Sequence, residues 1–364
     1  MASSIVGAPE RVLSIQSHVV FGYVGGKAAV FPLQCLGYDV DVVNTVNYSN
    51  HSGYGRSGGS KTTPEEFDSM MQVMEQNELL KPTRLLTGYI PGAAVLSAVE
   101  KTAAKLKHQR LSLIYLLDPV MGDAGRLYVA PDVIPVYRTM LPLATIITPN
   151  WFEVETLTEI ELVDIPSLNR ALEVLHKQYR VPHVVISSIP LKSWLLDALP
   201  EAIKPSEPTS AHLLCITSSY PPTRVASHGH TMNTERSVVH AQCVPLIPGY
   251  FSGVGDLFSA LLLAHFHAEQ EPEELFATPL SAAVSQALTK THAILKVTQA
   301  QADTLPEEER LPTDDELDAK DPLRKIRRMR GRELALVRGQ DLIRGVGITH
   351  VRDMMHWDNF WDLC

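Results

Sequence analysis

Strand-like and helix-like segments alternate through the first two thirds of the chain, and this alternation constrains the fold more than any other feature. Longer segments with helical periodicity separate most of the short apolar runs. Strands separated by helices of this length form βαβ units. The sequence therefore predicts an α/β fold, with a central, mostly parallel sheet flanked by helices on both faces. The predicted strands are 11–17, 38–43, 84–88, 111–117, 144–148 and 183–187, and the predicted helices are 22–36, 63–77, 93–108, 131–141 and 167–179.

The pattern changes after this alternating region. Residues 189–236 are rich in Pro, Ser and Thr and contain one strand-like run, at 212–217. We interpret the segment as a surface insertion between two late strands. Regular structure is expected to return with a strand over 237–244 and helices over about 254–267 and 281–297.

These boundaries predict the domain organisation. The chain has 364 residues, and open α/β sheets often exceed the usual domain length of about 150 residues as one unit. For the tail that ends the chain, packing against the body, disorder and a gene-model error all stay open. The predicted units are an N-terminal tail at 1–10, one α/β domain at 11–300 with the insertion at 189–236, an acidic linker at 301–322, a terminal basic helix at 323–344 and a tail at 345–364.

Composition excludes several classes of function. The formal net charge of −9 makes general nucleic-acid binding a poor expectation. The basic stretch 324–332 is interpreted as the exposed face of a helix paired with the acidic residues before it, with a nucleic-acid or nuclear-import patch as the alternative. The most apolar segment, 258–266, is too short for a membrane helix, which needs about 20 residues. We therefore expect neither nucleic acid nor a membrane as a partner.

The cysteines and the N-terminus indicate the compartment. The four cysteines are scattered and form no CxxC pair, which argues against a disulfide scaffold or a zinc ribbon and favours a reducing compartment. The first residues, MASSIVGAPER, contain no secretory signal pattern. A cytoplasmic location is expected, with a nuclear fraction as the alternative.

A glycine turn precedes the late apolar helix. Gly253 and Gly255 allow a sharp turn that presents bare N–H groups at a helix N-terminus, which is a good binding site for phosphate oxygens. Asp256 can accept a proton from an alcohol beside that phosphate. The helix end is expected to favour its ionised form, and hence to make it a weak base. An ordinary helix start is the competing interpretation, because Asp is a favoured N-cap residue.

Polar residues also follow several predicted strands. The segments 118–123 (DPVMGD) and 148–153 (TPNWFE) place carboxylates and an amide at strand ends. Oxygen ligands of this kind suit Mg²⁺ that bridges nucleotide phosphates. The segments 14–18 and 47–52 add small hydroxyl and amide groups to the same rim. These groups suit a small polar aromatic ligand better than a polymer.

Several other signatures are missing or incomplete. The sequence has no GxxxxGK[ST] segment and no HExxH segment. One GxGxxG segment, at 53–58, does not leave a strand directly and has no acidic residue at a strand end about 20 positions later. We interpret it as a mobile loop near a ligand, and not as a dinucleotide site.

The N-terminal region, SIQSHVVFGYVGGKAAVFPLQCLGYDVDVVNTVNYSNHSGY, resembles that of the pyridoxal kinase family in the ribokinase-like superfamily. The resemblance covers about 11–300 and, more weakly, 330–340. It implies a ribokinase-like fold, a homodimer and ATP-dependent phosphorylation of the 5′-hydroxymethyl group of pyridoxal, pyridoxine or pyridoxamine. The family's order continues with LLTGYI, LLDPVMGD, LYVAPDVIPVY, ATIITPNWFEVE, VVISS and FSGVGDLFSALLLAH.

Matching motif positions imply the residues that bind the vitamin. Ser17 is expected to bond the pyridine ring, and Ser52 stands where the family often has Thr. Val24 and Tyr89 are expected to line the ring pocket. Tyr128 belongs to the loop that closes over the substrate.

The same resemblance implies the catalytic, nucleotide and metal residues. Asp256 matches the catalytic aspartate and acts as general base, with Gly253 and Gly255 as an anion hole. Asp123 and Glu153 arrange magnesium or another divalent ion. The expected contacts to ATP are Asp118, Asn150, Ser187, Ser188, Gly253 and Val254, and the expected ligands of a potassium or sodium ion are Asp118, Thr148 and Ser187.

Departures from the family pattern leave two alternative functions. Val254 replaces the usual Thr of the glycine turn and removes one hydroxyl from the phosphate site, so weaker nucleotide binding is expected. The segment between Asp123 and Tyr128 is short, and the insertion at 189–236 is long. The alternatives are a kinase for another hydroxymethyl heterocycle, such as hydroxymethylpyrimidine, and a catalytically weak vitamin-binding protein.

Overall fold

One large sheet forms the centre of the protein in a computed structural model, which describes residues 10–205, 212–220, 236–270, 277–310, 312 and 314–363. Neighbouring strands in the middle of this sheet all run parallel. The mostly parallel sheet predicted from the βαβ pattern is therefore confirmed. Its parallel strands are β1 (Arg11–Val19), β2 (Asp39–Tyr48), β4 (Arg84–Thr87), β5 (Ile114–Leu117), β8 (Ile146–Ile147) and β9 (His183–Pro190).

Antiparallel strands extend both ends of the sheet. They are β3 (Gly59–Lys61), β10 (His212–Ser219), β11 (Val238–Pro245) and β12 (Met355–His356). Within the described residues the sheet has ten strands, in the order β12-β11-β10-β9-β8-β5-β4-β1-β2-β3. A separate hairpin consists of β6 (Gly122–Asp123) and β7 (Arg126–Leu127).

Helices cover both faces of the sheet and form one apolar cluster on each. One cluster contains buried residues of α2 to α6, and the other contains those of α1, α8 and α9. None of the described helices is long and apolar enough to cross a membrane. The helices of the two faces are α1 (Gly26–Cys35), α2 (Pro64–Gln76), α3 (Ala93–Gln109), α4 (Val133–Met140), α5 (Trp151–Thr158), α6 (Ile165–Glu173), α7 (Ser193–Ala198), α8 (Val254–His265) and α9 (Pro279–Asp303).

Local chemistry explains where the predicted elements shift. The first helix begins at Gly26 and not at residue 22, because Gly22 and Gly25 have positive φ angles of 97° and 54°. It also continues through Pro32 without interruption. The strand predicted over 111–117 is shorter in the structure, where it is β5. Residues 110–113 form a hydrogen-bonded turn instead.

The segment predicted as a surface insertion contributes to the main sheet. β9 extends to Pro190, and β10 pairs antiparallel with both β9 and β11. The sequence pattern missed this role because strand pairing depends on partners distant in the chain. The insertion also contains α7, and its parts at 206–211 and 221–235 lie outside the described residues.

The charge-rich region after α9 folds into short helices. The predicted acidic linker contains α10 (Glu307–Arg310) and α11 (Asp315–Lys320). The predicted single basic helix is instead α12 (Pro322–Arg330) and α13 (Gln340–Ile343), separated by a turn. Asp318 of α11 pairs with Arg324 and Arg328 of α12, and all three side chains are buried. The predicted acidic–basic pairing therefore forms, but it lies inside the fold and not on an exposed face.

The tail beyond residue 345 packs on the body of the protein. Met354 belongs to the apolar cluster of the α8 and α9 face. β12 then pairs with β11, after which Trp357 and Phe360 enter the cluster on the opposite face. The tail thus passes around the outer edge of β11. Of the three interpretations left open by the sequence, the structure supports packing.

Candidate active site

The parallel strands bring the predicted site residues to one rim of the sheet. Their register places Ile15, Thr87, Leu117 and Ile147 side by side in adjacent strands. The residues that follow these positions lie at the carboxyl ends of the strands, where open α/β sheets bind their ligands. Asp118, Thr148 and the loops after β1 and β4 therefore share this rim.

The glycine turn before α8 lies against the loop after β1. Gly253 has a φ of 79°, and a Cβ there would lie 2.0 Å from the carbonyl oxygen of Tyr23. Gly25 donates its N–H to Oδ2 of Asp256 at 2.7 Å. A Cβ on Gly25 would lie 2.2 Å from Oγ of Ser17. Close packing of Gly25 thus connects Ser17, the predicted substrate-binding residue, with Asp256, the predicted base. Val24, predicted to line the ring pocket, lies in the same loop.

The electrostatics of Asp256 differ from the expectation based on the helix end. Burial raises the pKa of Asp256, and the hydrogen bond from Gly25 opposes this only in part. Its carboxylate is therefore a stronger base than the helix dipole alone predicts. Burial and the charge of Asp256 also raise the pKa of Asp118. A bound cation would reduce the repulsion between the carboxylates of Asp118 and Asp256.

Ser259 connects α8 to the strand ends, a role absent from the predictions made from the sequence. Its buried hydroxyl donates to Oδ2 of Asp118 at 3.1 Å and lies 3.0 Å from Oγ1 of Thr148. Ser259 follows Asp256 by three positions, so the two residues share one face of α8. This three-residue spacing is the sequence feature that could have indicated a site role for Ser259.

Ser187 is connected to the Asp118–Thr148–Ser259 group by a backbone hydrogen bond. Its N–H donates to the carbonyl of Pro149 at 3.0 Å, and its hydroxyl is 3.4 Å from the same oxygen. Ser187 and Ser188 are half-buried in β9. Two of the three predicted ligands of a monovalent cation, Asp118 and Thr148, thus meet through Ser259, while Ser187 contacts the residue after Thr148.

Glu153 and Asn150 form a closed hydrogen-bond network at the start of α5. Oε1 of Glu153 accepts from the N–H of Met121 at 2.9 Å, and Oε2 accepts from the N–H of Asn150 at 2.9 Å. The amide of Asn150 donates to the carbonyl of Gly122 at 2.8 Å. Both side chains therefore fix the backbone of the 121–122 segment. This geometry favours a positioning role over direct ligation by Glu153.

The hairpin after Met121 carries the remaining predicted residues of the nucleotide side. Asp123 is exposed and accepts from the N–H of Ala124 at 2.7 Å. Tyr128 is 58% exposed, and partial burial together with the charge of Asp123 raises its pKa to about 12. Among the described residues, no group of three or more His, Cys, Asp and Glu side chains could hold a metal ion. A divalent ion here would thus take most of its ligands from the nucleotide and water.

The substrate side is framed by two further predicted residues. Ser52 is exposed and begins a short 3-10 turn that ends at Tyr54. Tyr89 is half-buried, and its carbonyl accepts from Oγ1 of Thr45 at 2.8 Å. Both lie in segments that follow the carboxyl ends of β2 and β4. The GxGxxG segment begins within this 3-10 turn and leads into β3, not into a helix.

A second unanticipated group lies behind these loops. His51 and Tyr54 both contact the carboxylate of Glu333, a residue from the region after α12. His51 lies within the N-terminal region that resembles the family. No local pattern links it to Glu333, because 282 positions separate the two residues.

The rim therefore combines a helix N-terminus that includes Gly253 and Gly255, the carboxylate of Asp256 in the first turn of the same helix and the carboxylate of Asp118 after a strand end. Helix N-termini of this kind bind phosphate, and the carboxylate is placed to accept a proton. Fold and site together define a phosphotransferase of the ribokinase-like class.

Comparisons with known proteins specify the family. Residues 62–203 match the family model described as phosphomethylpyrimidine kinase. The chain is 39% identical to pyridoxal kinase from Arabidopsis thaliana over 254 residues, covering 70% of this chain and 73% of that protein. It is 37% identical to pyridoxal kinase from Homo sapiens over 262 residues, covering 71% and 77%. The structure of pyridoxal kinase from Leishmania donovani in complex with ADP and pyridoxamine matches with a TM-score of 0.73 and 30% identity, covering 95% of this chain and 99% of that chain.

The chain belongs to the pyridoxal kinase family. The predicted family, the ribokinase-like fold and the classification as a kinase enzyme are thereby confirmed. The roles of the individual site residues stay predictions, which the geometry above supports to different degrees.

Proposed function

We propose that the protein transfers the γ-phosphoryl group of ATP to the 5′-hydroxymethyl group of pyridoxal, pyridoxine or pyridoxamine. The observation that carries this proposal is the position of Asp256, which lies in the first turn of α8 beside the glycine turn and is held by Gly25 next to Ser17. The structural relatives include a pyridoxal kinase complex with ADP and pyridoxamine and another with ADP and pyridoxine. Both the nucleotide and the vitamin thus have precedents in the family.

The proposed mechanism uses three groups of this chain. Ser17 binds the edge of the pyridine ring, and Asp256 accepts the proton of the attacking hydroxyl. The raised pKa of Asp256 improves it as a base. The N–H groups around Gly253 and Gly255 stabilise the negative charge on the transferred phosphoryl group. Val254 supplies its backbone but no hydroxyl, so we expect weaker nucleotide binding than with the family's usual Thr at this position.

We propose that metal ions complete the nucleotide side. Mg²⁺ or another divalent ion would be held near Asp123, and it would neutralise phosphate charge when bound. Glu153 would fix the backbone of this segment. K⁺ or Na⁺ would be held by Asp118 and Thr148 with Ser187 beside them. The support is the arrangement of Asp118 and Thr148, whose side chains both contact the hydroxyl of Ser259, and the charge of Asp256, which raises the pKa of Asp118.

We also propose that the protein is a homodimer in the cytoplasm. The dimer is proposed from the family resemblance. The compartment is proposed from Cys35, Cys215 and Cys243, which are all free thiols in the described part of the chain. Size-exclusion chromatography with light scattering would test the first proposal, and imaging of a tagged chain would test the second.

A coupled assay with Mg-ATP tests the proposed reaction. Turnover is expected with the three B6 vitamers and not with hydroxymethylpyrimidine, which is included because the matching family model carries a pyrimidine kinase description. Preferential turnover of the pyrimidine would overturn the substrate assignment. Binding of pyridoxal without any turnover would instead support the weak vitamin-binding alternative.

Asp256→Asn tests the role of the base. The variant keeps the size of the side chain and its hydrogen bond from Gly25 but removes the proton acceptor. A general base contributes about 10²–10⁴-fold, so kcat should fall by that factor while ATP binding is kept. Near-normal turnover by the Asn variant would make Asp256 a helix-capping residue only.

A further inference from the structure

One buried carboxylate joins the two loops on the substrate side of the site. Oε2 of Glu333 accepts from the N–H of Tyr23 at 2.8 Å. Oε1 accepts from the hydroxyl of Tyr54 at 2.6 Å and lies 3.0 Å from Nε2 of His51. The side chain of Glu333 is only 11% exposed. Glu333 thus connects the loop after β1 with the turn after β2.

The contacts of His51 define which ring nitrogen carries the proton. Gly53 donates its N–H to Nδ1 of His51 at 3.2 Å. Because Nδ1 accepts this bond, the proton of the neutral ring lies on Nε2 and is donated to Glu333. Burial raises the pKa of Glu333, but the hydrogen bonds from His51, Tyr54 and Tyr23 outweigh it and leave the pKa lowered. Glu333 is therefore an ionised acceptor of three donors.

The loop after β1 has no free space between Glu333 and the glycine turn. Gly22 has a φ of 97°, and a Cβ there would lie 2.7 Å from both carboxylate oxygens of Glu333. On the other side, the carbonyl of Tyr23 packs on Gly253. Gly25, two residues further along, bonds Asp256. A displacement at Glu333 must therefore move the loop that holds Asp256.

We propose that Glu333 is a positioning residue for phosphoryl transfer. It fixes residues 22–25, and through them Ser17 and Asp256, and it fixes the 51–54 turn that carries Ser52. Glu333 acts from behind both loops and touches neither substrate. The inference rests on the proposed function, since its effect is expected on the vitamin side of that reaction.

Glu333→Gln tests this role. Glutamine offers one acceptor oxygen and one NH₂ group, so either Tyr23 or the His51–Tyr54 pair loses its acceptor. The kcat/KM for pyridoxal should fall about tenfold or more, since hydrogen bonds to a charged group are involved. The KM for ATP and the secondary structure should stay unchanged. Glu309→Gln is the matched control, because Glu309 pairs with Arg330 in the same region without contacting either loop.

Tyr54→Phe and the double variant keep the test decisive if Glu333→Gln proves unstable. Tyr54→Phe removes one of the bonds to Glu333 and should give a smaller loss in the same parameter. The double variant should lose less than the product of the single losses, because both substitutions disrupt one network. A rise in the KM for ATP as large as the loss in kcat/KM for pyridoxal, multiplicative losses in the double variant, or an effect of Glu309→Gln as large as that of Glu333→Gln would overturn the proposal. Absence of pyridoxal turnover by the wild type would instead contradict the proposed function.

Discussion

Replacement of Trp357 tests whether the tail is part of the folded core. Its side chain is 1% exposed, and its ring packs edge-on against Phe360 with 5.0 Å between centroids. Truncation of a fully buried Trp to Ala typically costs about 3–5 kcal/mol in free energy of unfolding. Trp357→Ala should therefore destabilise the protein by that amount.

Trp357→Phe is the matched variant that separates packing from hydrogen bonding. Nε1 of Trp357 has no hydrogen-bond partner among the described residues. Phenylalanine therefore removes no bond, keeps an aromatic ring and leaves a smaller cavity. Its cost should be about 1 kcal/mol, well below that of alanine.

Urea unfolding followed by far-UV circular dichroism measures both changes, since this signal does not depend on the replaced indole. The kcat of the folded protein should stay at the wild-type value, because Trp357 lies at the β11 edge and not at the rim that carries Asp256. A loss below about 1 kcal/mol in the Ala variant would refute the packing of the tail on the core.

Two further predictions concern charge. The hydrogen bond from Arg328, opposed by desolvation and aided by Arg324, lowers the pKa of Asp318 to about 2. A depressed carboxyl pKa stabilises the fold above its unfolded value of about 3.9, and this stabilisation is lost as the pH falls toward 2. The melting temperature of Asp318→Asn should therefore lie below that of the wild type near pH 7, and the gap should close below about pH 4; a gap independent of pH would contradict the ion pair. If Asp118 and Thr148 hold a monovalent cation, activity should rise when K⁺ replaces a bulky organic cation at constant ionic strength, and equal rates would contradict that site.

Local patterns account for the parts of the fold and site that the sequence predicts. Short apolar runs alternate with segments of helical periodicity, and this alternation indicates the parallel strands and their helices. The glycine turn places Gly253 and Asp256 within one short segment. The predicted helix over 63–77 likewise begins with a capping box, formed by Thr63 and Glu66. Each of these features depends on neighbours in the chain, so the residue types alone indicate them.

Contacts between distant segments account for what the sequence could not predict. β10 joins the sheet through β9 and β11, and nothing within residues 212–219 specifies those partners. Burial raises the pKa of Asp256, whereas the helix end alone predicts a lower value. Glu333 and His51 are 282 positions apart in the chain, so no local pattern indicates their contact. The division into domains and the chemical roles of the site residues stay predictions.

The position of β12 at the outer edge of β11 has a consequence for synthesis of the protein. β11 leaves the ribosome long before β12, so in a nascent chain the part of this edge that pairs with β12, at residues 240–241, is still uncovered. Exposed edge strands pair readily with other chains. Translation pauses or premature termination after α8 and before β12 would therefore yield chains that contain every proposed catalytic residue but have an uncovered strand edge. Such chains are expected to depend on chaperones until the final strand arrives.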